Sequence, residues 1–331
     1  MRVGFIRKEG FWMLDSINKY LQKMMPILTP VSLLIGVLLS DIGGQLLFLV
    51  PWLFAFMTFA GSLSMNFQGL KSFTKYPWVI LGTIAFLHII MPVWAYFVST
   101  VLFDDHLVTI GFVLSVAVPT GVTSFIWVSI CRGNLPLCLS IILIDTILSP
   151  IVMPLLVKLV VGRTIEIDTW SIMLDLLWMI VLPSIVAVLL NEWTKGSINV
   201  TVGKKLAPFQ KLSLFLIVMI NSSVIAPYLK NVTWEIAGII AVVFVLAISG
   251  YAMCLVLGHF LFKDPSIITT VVFTGGMRNI AVGVVVASTY FPGKVVMPVV
   301  FGMLFQQIIA SQFSRVLDKY KVKYEKIPAS S

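Results

Sequence analysis

Ten apolar segments, each bounded by proline, glycine or charged residues, follow one another along the chain. A helix needs about 20 apolar residues to cross a bilayer, and all the segments except the first are close to that length or longer. The pattern therefore predicts an all-α integral membrane protein with ten transmembrane helices. The segments are 26–40, 46–64, 77–100, 107–131, 135–157, 171–190, 208–227, 234–262, 266–290 and 295–314.

The composition agrees with this class of protein. Of the 331 residues, 59% are hydrophobic and 11% are charged, and the mean hydropathy is +1.03. A soluble domain carries about 25% charged residues, so the deficit excludes a soluble globular protein. The three cysteines, Cys131, Cys138 and Cys254, have neither CxxC spacing nor a histidine cluster nearby, which indicates no disulfide framework and no zinc site.

The basic residues predict the orientation of the chain in the membrane. With ten spans and the N-terminus inside, 18 of the 23 lysines and arginines fall in cytoplasmic segments, and four fall outside. This bias is the usual mark of cytoplasmic loops, so the basic excess does not indicate a nucleic-acid partner. We expect a multi-pass protein of the cell membrane with both termini in the cytoplasm. The remaining basic residue, Arg278, lies inside the ninth apolar segment.

Residues 1–25 form an amphipathic pattern before the first span. Apolar and charged side chains fall on opposite helical faces, which predicts a helix lying on the inner membrane surface; a frayed tail is the alternative. The apolar face carries Leu14, Ile17, Leu21 and Met25, and the charged face carries Asp15, Lys19 and Lys23.

Two of the ten segments are interrupted near their midpoints. The fourth contains VPTGVTSF (118–125) and the ninth contains TGGMRN (274–279), where we expect the paired glycines to open the helix and expose its backbone. Because these interruptions occupy matching places in two five-span halves, they indicate an inverted duplication with a binding site where the broken helices meet. The alternative is that glycine and proline are merely common in membrane helices. The predicted parts are the N-terminal segment 1–25, the repeats 26–160 and 161–315, and a cytoplasmic tail, 316–331.

Three ionisable residues lie deep in the predicted spans: Arg278, Asp145 and His88. A charge at the bilayer centre costs at least about 2.5–3.5 kcal/mol, so each should have a partner inside the protein. The simplest pairing joins Asp145 to Arg278 as a structural ion pair. Alternatively, Arg278 binds an anionic substrate, because its planar guanidinium can hold a carboxylate or sulfonate through two parallel hydrogen bonds. His88 is either a packed, hydrogen-bonded side chain or a proton carrier.

Several motifs together resemble the bile acid:sodium symporter superfamily over nearly the whole chain. They are MNFQGLKSF (65–73), HIIMPVWAY (88–96), PTGVTSF (119–125), CRGNLPLCLSIILIDTILSPIVMPLL (131–156) and GGMRNIAVGVVVAS (275–288). The resemblance implies ten helices in two inverted five-helix repeats with discontinuous fourth and ninth helices. It further implies a panel domain formed by spans one, two, six and seven and a core domain formed by the other six.

The resemblance also implies two sodium sites, and this sequence departs from both. At the matching positions Ser124 is kept, but the other oxygen ligands are replaced, and sodium prefers oxygen donors. The replaced positions hold Phe125, Cys138, Ile142 and Thr274 in the first site and Leu87 and Arg278 in the second. We therefore expect Arg278 to stand in for a bound cation, which puts sodium coupling in doubt. The coupling ion is left open between sodium and a proton carried by Asp145 or His88.

The predicted function is secondary active transport of a small or amphipathic organic anion by alternating access. The expected partners are this anion and the lipid bilayer, with no enzyme activity, no cofactor, no nucleic acid and no obligate protein partner. The substrate should be bound by Thr120, Gly121, Thr123, Ser124, Thr274, Gly275, Gly276, Arg278 and Asn279, with Asp145 and His88 serving coupling.

Two other functions remain as alternatives. The FIW sequence at 125–127 resembles the arsenite-efflux branch of the superfamily, but Thr120 stands where that branch carries a cysteine for a soft metalloid. A membrane receptor or sensor is the alternative of another class, although no loop is long enough to form a soluble domain. An intramembrane enzyme finds no support, because the sequence contains no catalytic motif of the HExxH or nucleophile type.

Overall fold

The computed structural model describes residues 2–65, 71–162, 168–229 and 233–325, and these ranges are almost entirely helical. The α-helices are α1 (Arg2–Leu38), α2 (Ser40–Gln45), α3 (Val50–Ser62), α4 (Lys71–Lys75), α5 (Pro77–Ala85), α6 (Met91–Leu102), α7 (His106–Ala117), α8 (Ser124–Ile130), α9 (Leu135–Val161), α10 (Thr169–Leu176), α11 (Leu182–Trp193), α12 (Lys204–Leu229), α13 (Trp234–Leu261), α14 (Pro265–Gly276), α15 (Ile280–Tyr290) and α16 (Gly293–Glu325). Short π-helical segments at Phe86–Ile90, Leu177–Val181 and Asn199–Gly203 join neighbouring α-helices.

Among the described residues, six helices are long and apolar enough to cross a membrane. They are Pro77–Leu102, Leu135–Val161, Thr169–Trp193, Asn199–Leu229, Trp234–Leu261 and Gly293–Val322. The other four predicted segments coincide with helices that are bent, short or broken: the end of α1, Leu47–Ser62, α7 with α8, and α14 with α15. The all-helical architecture and the long apolar helices agree with an integral membrane protein.

Helix α1 is bent near the boundary predicted between the N-terminal segment and the first span. Its parts Ser16–Met24 and Ile27–Leu38 meet at an angle of 73°. Pro26 lies at this bend, and proline removes a backbone hydrogen bond from a helix, so the bend has a local cause. The side chains of Leu14 and Met25 lie outside the described residues, as do 326–331 of the predicted tail, so the surface position of this helix stays a prediction.

The chain divides into two compact units, each built from two separate parts of the sequence. The first is Met1–Phe67 with Met173–Asn231, and the second is Gln68–Ile172 with Val232–Ser331. These ranges match the segments that the sequence assigns to spans one, two, six and seven in the first unit and to the remaining six in the second. The predicted boundary at 160 therefore does not separate the compact units, because helices distant in sequence pack together in each.

In the first unit, α12 packs along α1 and against α3, and α3 packs against α11. Buried polar side chains form hydrogen bonds within this mostly apolar interface. The Ser62 hydroxyl donates to the Ser184 hydroxyl at 3.1 Å, and Asn191 Nδ2 donates to the Met65 carbonyl at 2.9 Å. Since polar groups buried without partners are costly, these bonds help to set the packing of α3 on α11. Residues 66–70 of the motif that starts at Met65 lie outside the described residues.

The second unit holds the interrupted helices in its interior. Helix α7 packs against α6, α9 and α16, and α14 packs against α13, α8 and α9. Every residue from Val108 to Ala117 and from Ile267 to Gly275 is buried. Because α7 and α14 are enclosed on all sides, their ends can leave regular helical geometry only where other parts of the protein satisfy the backbone.

One ionic cluster joins three helix N-termini of the second unit. Lys294 Nζ in the first turn of α16 lies 2.5 Å from Asp105 Oδ2 and 3.1 Å from Glu235 Oε1 in the first turn of α13. Asp105 also caps α7 by accepting the Leu107 and Val108 N–H groups at 2.8 and 3.3 Å. Burial raises the pKa of Asp105, but the hydrogen bond from Lys294 and the two backbone bonds outweigh it and bring the pKa below its ordinary value of 3.8.

Replacing Asp105 by Asn should therefore destabilise the protein in a pH-dependent way. Because the folded pKa is lowered, the carboxylate contributes its full stabilisation above about pH 4 and loses it as the pH falls below its ordinary pKa. We expect the wild-type melting temperature to exceed that of Asp105→Asn at pH 7, by the equivalent of about 1 kcal/mol or less. Thermal unfolding of the purified protein between pH 7 and pH 3 measures this difference.

The control is Asp264→Asn, at a residue that likewise caps a helix, by accepting the Ser266 N–H, but forms no ion pair among the described residues. Its effect at neutral pH should be smaller, since Asn also caps helices. If the melting temperatures of the wild type and Asp105→Asn differ by the same amount from pH 7 to pH 3, Lys294 does not stabilise the ionised carboxylate.

Candidate functional site

The two interrupted helices meet within the second unit. Helix α7 ends at Ala117 and α8 begins at Ser124, while α14 ends at Gly276 and α15 begins at Ile280, so both predicted interruptions are present. We call the two non-helical stretches, residues 118–123 and 277–279, the crossover.

The two strands of the crossover satisfy each other's backbone groups. Gly121 N–H donates to the Met277 carbonyl at 3.0 Å, and Asn279 N–H donates to the Pro119 carbonyl at 2.7 Å. These bonds supply partners for polar groups that neither helix can satisfy alone. A Cβ added at Gly121 would lie 3.0 Å from the Arg278 carbonyl oxygen, so a glycine here lets the two backbones come close. Each interruption therefore supports the other.

Thr120 lies at the centre of the crossover and is 1% exposed. Its backbone pairs with that of Arg278 in an isolated antiparallel bridge. Its hydroxyl donates to the Thr274 carbonyl at 3.0 Å, and its N–H donates to Asp145 Oδ2 at 2.6 Å. Thr120 thus joins the crossover to α14 through its hydroxyl and to α9 through its N–H.

The partner of Asp145 is His88, which differs from the expected pairing with Arg278. His88 Nε2 lies 2.5 Å from Asp145 Oδ1, and both residues are buried, at 4% and 0% exposure. With its other oxygen bonded to Thr120 N–H, the carboxylate has a donor on each oxygen. His88 lies in the π-helical segment Phe86–Ile90, where the angular spacing of side chains around the helix differs from that of the α-helix that the sequence pattern assumes.

Arg278 is buried without a hydrogen-bonded partner for its terminal nitrogens. The residue is 6% exposed, and neither Nη1 nor Nη2 has a hydrogen-bond partner among the described residues. Asp145 still attracts the guanidinium electrostatically, but without contact. A buried charge normally has paired and hydrogen-bonded groups around it, so this side chain indicates a missing anionic or polar partner.

A cavity of about 40 Å³ lies next to Arg278, large enough for a few water molecules. Its polar lining residues are Ser115, Tyr251, Arg278 and Gln306, and glycines and apolar residues, among them Gly275 and Gly276, complete the wall. The Tyr251 hydroxyl is also buried without a hydrogen-bond partner among the described residues. Two groups able to donate hydrogen bonds to an anion therefore lie around one cavity.

Gly275 and Gly276 have a different role from the one expected. Both are still helical, and the interruption begins at Met277. A Cβ at Gly275 would lie 2.2 Å from Cys254 Sγ, and one at Gly276 would lie 2.5 Å from the Tyr251 ring. The glycines therefore allow α13 to approach α14 closely rather than opening the helix, and this approach brings Tyr251 to the cavity.

The other predicted site residues support the crossover but do not line this cavity. Ser124 Oγ lies 3.9 Å from Cys138 Sγ, and the Thr274 hydroxyl donates to the Thr270 carbonyl at 2.8 Å. Thr123 and Asn279 are partly exposed, and Thr120 and Gly121 are engaged in the crossover. The residues missed from the sequence are Ser115, Tyr251 and Gln306. They lie in the apolar helices α7, α13 and α16, and no spacing marks them.

The positions implied as sodium ligands provide few oxygen atoms. The hydroxyls of Ser124 and Thr274 contact Cys138 and helix carbonyls, respectively, while Phe125 and Ile142 carry no oxygen in their side chains. A hard cation prefers several oxygen ligands, so the donor set described here fits sodium poorly.

Replacing Gly276 by Ala should destabilise the protein, because the added methyl group would overlap the Tyr251 ring. That ring already stacks on Phe313, at a centroid distance of 4.9 Å. We expect a loss of about 1–3 kcal/mol for Gly276→Ala, the usual cost of overpacking, measured by thermal unfolding in detergent. The matched control is Gly82→Ala in α5, where a Cβ meets nothing within 4 Å. That variant should be neutral or slightly stabilised, since alanine favours helices. Equal melting temperatures for the two variants would contradict the proposed close contact between α13 and α14.

Comparison with known proteins places these features in context. The sequence model described as the Sodium Bile acid symporter family matches residues 51–234 of this chain. An "Uncharacterized protein YbaS" of Bacillus subtilis (strain 168) is 44% identical over 300 residues, covering 90% of this chain and 98% of that protein.

Two more distant relatives have functional names. The "Uncharacterized sodium-dependent transporter YocS" of Bacillus subtilis (strain 168) is 23% identical over 291 residues, covering 86% of this chain and 89% of that protein. The "Probable sodium/metabolite cotransporter BASS2, chloroplastic" of Oryza sativa subsp. japonica is 23% identical over 299 residues, covering 84% of this chain and 67% of that protein. These names describe transporters and not enzymes.

Proposed function

The chain belongs to the sodium bile acid symporter family, a family of membrane transporters, and from that premise we propose that it carries a small or amphipathic organic anion by alternating access. The names of the more distant relatives, a sodium-dependent transporter and a sodium/metabolite cotransporter, support a small solute as the cargo. The cell membrane and cytoplasmic termini belong to the same proposal, and the positive-inside bias of the sequence supports them.

The observation that carries the proposal is the buried guanidinium of Arg278. Its two terminal nitrogens have no hydrogen-bond partner among the described residues, and a cavity lies beside it. A carboxylate or sulfonate entering this cavity would supply both the missing charge and two parallel hydrogen bonds. Tyr251 and Gln306 offer further donors to the same head group. A cavity of about 40 Å³ favours a small anionic head group here, whatever the size of the rest of the substrate.

The predicted site residues then fall into two roles. We propose that Gly275, Gly276 and Arg278 contact the head group, because they line the cavity. Six residues would hold the crossover that presents Arg278: Thr120, Gly121, Thr123, Ser124, Thr274 and Asn279. Their backbone and hydroxyl bonds support that role. His88 and Asp145 would serve coupling, for which their burial next to the crossover is the support.

We also propose that Arg278 takes the place of a bound cation. In the sodium-coupled members that the chain resembles, a sodium site occupies the matching position. Here the guanidinium supplies a permanent positive charge, and the surrounding side chains provide few oxygen ligands. On this account sodium is not required for anion binding.

The proposed architecture is ten spans in two inverted repeats of five. Two observations support it. Six long helices, the bent end of α1, Leu47–Ser62 and the two interrupted pairs account for ten crossings when each pair counts once. The two interrupted pairs also occupy matching positions in the halves of the chain, as inverted repeats require.

Replacing Arg278 by Gln should abolish anion binding, because the charge and the hydrogen-bonding fork are both lost. The probes are acetate, benzoate, cholate and taurocholate at increasing concentrations, and the measurement is the melting temperature of the purified protein. An anion at about 100 times its dissociation constant should stabilise the wild type by about 2.7 kcal/mol and the variant not at all. Sodium and potassium salts should give the same result.

The matched control is Arg315→Gln, an exposed arginine on α16 that should leave anion stabilisation unchanged. The ligand-free Arg278→Gln protein should be less stable than the wild type, since Asp145 loses its buried counter-charge, so each anion effect is measured against the same protein without anion. Equal stabilisation of wild type and Arg278→Gln, or no stabilisation of the wild type by any of the four anions, would refute the proposal. A sodium requirement in the wild type would refute the role of Arg278 as a cation substitute.

A further inference from the structure

The buried charges of the second unit balance only while no anion is bound and His88 is neutral. Apart from cysteine and tyrosine, three ionisable side chains are buried among its described residues: Arg278, Asp145 and His88, at 6%, 0% and 4% exposure. With a neutral imidazole, the carboxylate and the guanidinium cancel and the empty site has no net charge. An anion bound at Arg278 would leave one net negative charge in the interior.

A proton on His88 restores neutrality when the anion is bound. A net charge inside a membrane costs at least about 2.5–3.5 kcal/mol, so the anion alone or the proton alone is disfavoured, while the two together cancel. Resting on the proposed function, we propose that the His88–Asp145 pair binds a coupling proton that enters and leaves with the anion. The cargo would then be an anion and a proton, without sodium.

The hydrogen bonds of His88 leave a place for that proton. In the tautomer that carries hydrogen on Nε2, this nitrogen donates to Asp145 Oδ1 at 2.5 Å. Nδ1 then has a free lone pair, and it is buried without a partner among the described residues. Protonation by a hydronium ion breaks one O–H bond of the donor and forms one N–H bond at Nδ1. It leaves the hydrogen bond to Asp145 in place and converts that contact into an ion pair.

The proton site is connected to the anion site through the crossover. Asp145 accepts from His88 on one oxygen and from Thr120 N–H on the other. The backbone of Thr120 pairs directly with that of Arg278. A change of charge at His88 therefore acts on the carboxylate that holds one strand of the crossover, while the anion acts on the other strand.

Arg278 is the charged group that bears most directly on the pair, since it interacts electrostatically with Asp145. Three helices packed near the pair, α5, α8 and α14, contain no titratable residue. Other groups on the surrounding elements are Cys138 and Lys158 of α9, Lys75 of α4, Tyr96 of α6, His106 of α7, and Tyr251 and Cys254 beside Arg278. Lys75, Tyr96 and Lys158 are exposed, and His106 contacts the Val161 carbonyl, so they do not face the pair.

The first test needs no transported solute. The chain has three histidines, so selectively labelled imidazole signals can be followed by NMR in detergent, with His88→Gln and His106→Gln to assign them. We expect the His88 signal to shift with pH. In Arg278→Gln the protonated fraction of His88 at pH 7 should rise, since a nearby positive charge is removed, and in Asp145→Asn it should fall. Arg315→Gln should change neither.

A His88 signal that does not titrate, or that ignores the Arg278→Gln change, would overturn the proposal. This result would leave anion binding at Arg278 untouched, so the two ideas fail separately.

The second test measures coupling with taurocholate, whose sulfonate stays ionised and carries no proton of its own. Binding to the wild type should tighten as the pH falls from 8 to 6, by up to tenfold per pH unit, because proton and anion bind cooperatively. His88→Gln should bind with an affinity independent of pH, and His106→Gln should keep the wild-type dependence. Exchanging sodium for potassium should change neither curve.

Taurocholate binding that depends on Arg278 but keeps its pH dependence in His88→Gln would refute the proton site and leave the proposed function standing. If the wild type does not bind taurocholate, this result counts against the proposed substrate class. The NMR experiment then still decides the role of His88.

Discussion

The architecture of the site depends on one constraint: two helices end inside the protein, where their backbone groups need partners other than bulk water. The crossover meets this constraint by pairing the two chains with each other, through the bonds between Gly121 and Met277 and between Asn279 and Pro119. Each interruption is tolerated because the other is present. The side chain of Asp145 adds a third partner, by accepting the Thr120 N–H.

This arrangement explains why functional and structural roles are combined in the same few residues. Thr120 is bonded to α9 and α14, and its backbone neighbour across the bridge is the arginine whose guanidinium lacks a partner. The glycines at 275 and 276 serve packing, since they admit Cys254 and Tyr251 of α13, and the same close approach forms the wall of the cavity. A change in any of these residues would therefore affect stability together with binding.

The balance of charge relates this protein to its sodium-dependent relatives. A carrier of anions needs positive charge at its centre, and a mobile cation or a fixed side chain can provide it. On the proposed account, Arg278 provides it permanently, and Asp145, which interacts with it electrostatically, supplies the counter-charge. In the proposed mechanism, the charge that differs between the anion-free and the anion-bound states is that of His88, which is 4% exposed and lies 2.5 Å from Asp145.

The sequence by itself determined the class of protein, the apolar segments and the two interruptions at 118–125 and 274–279. Hydropathy, proline and glycine act locally, so these features can be read without knowing what packs where. The sequence also singled out Arg278, Asp145 and His88, since an ionisable residue inside an apolar segment can be recognised without a structure. Only the tertiary structure decided their partners: His88, in the π-helical segment Phe86–Ile90, contacts Asp145, and Arg278 lies beside a cavity that Tyr251 and Gln306 also line. Those contacts join residues far apart in the chain, and their geometry depends on helix packing that no local pattern encodes.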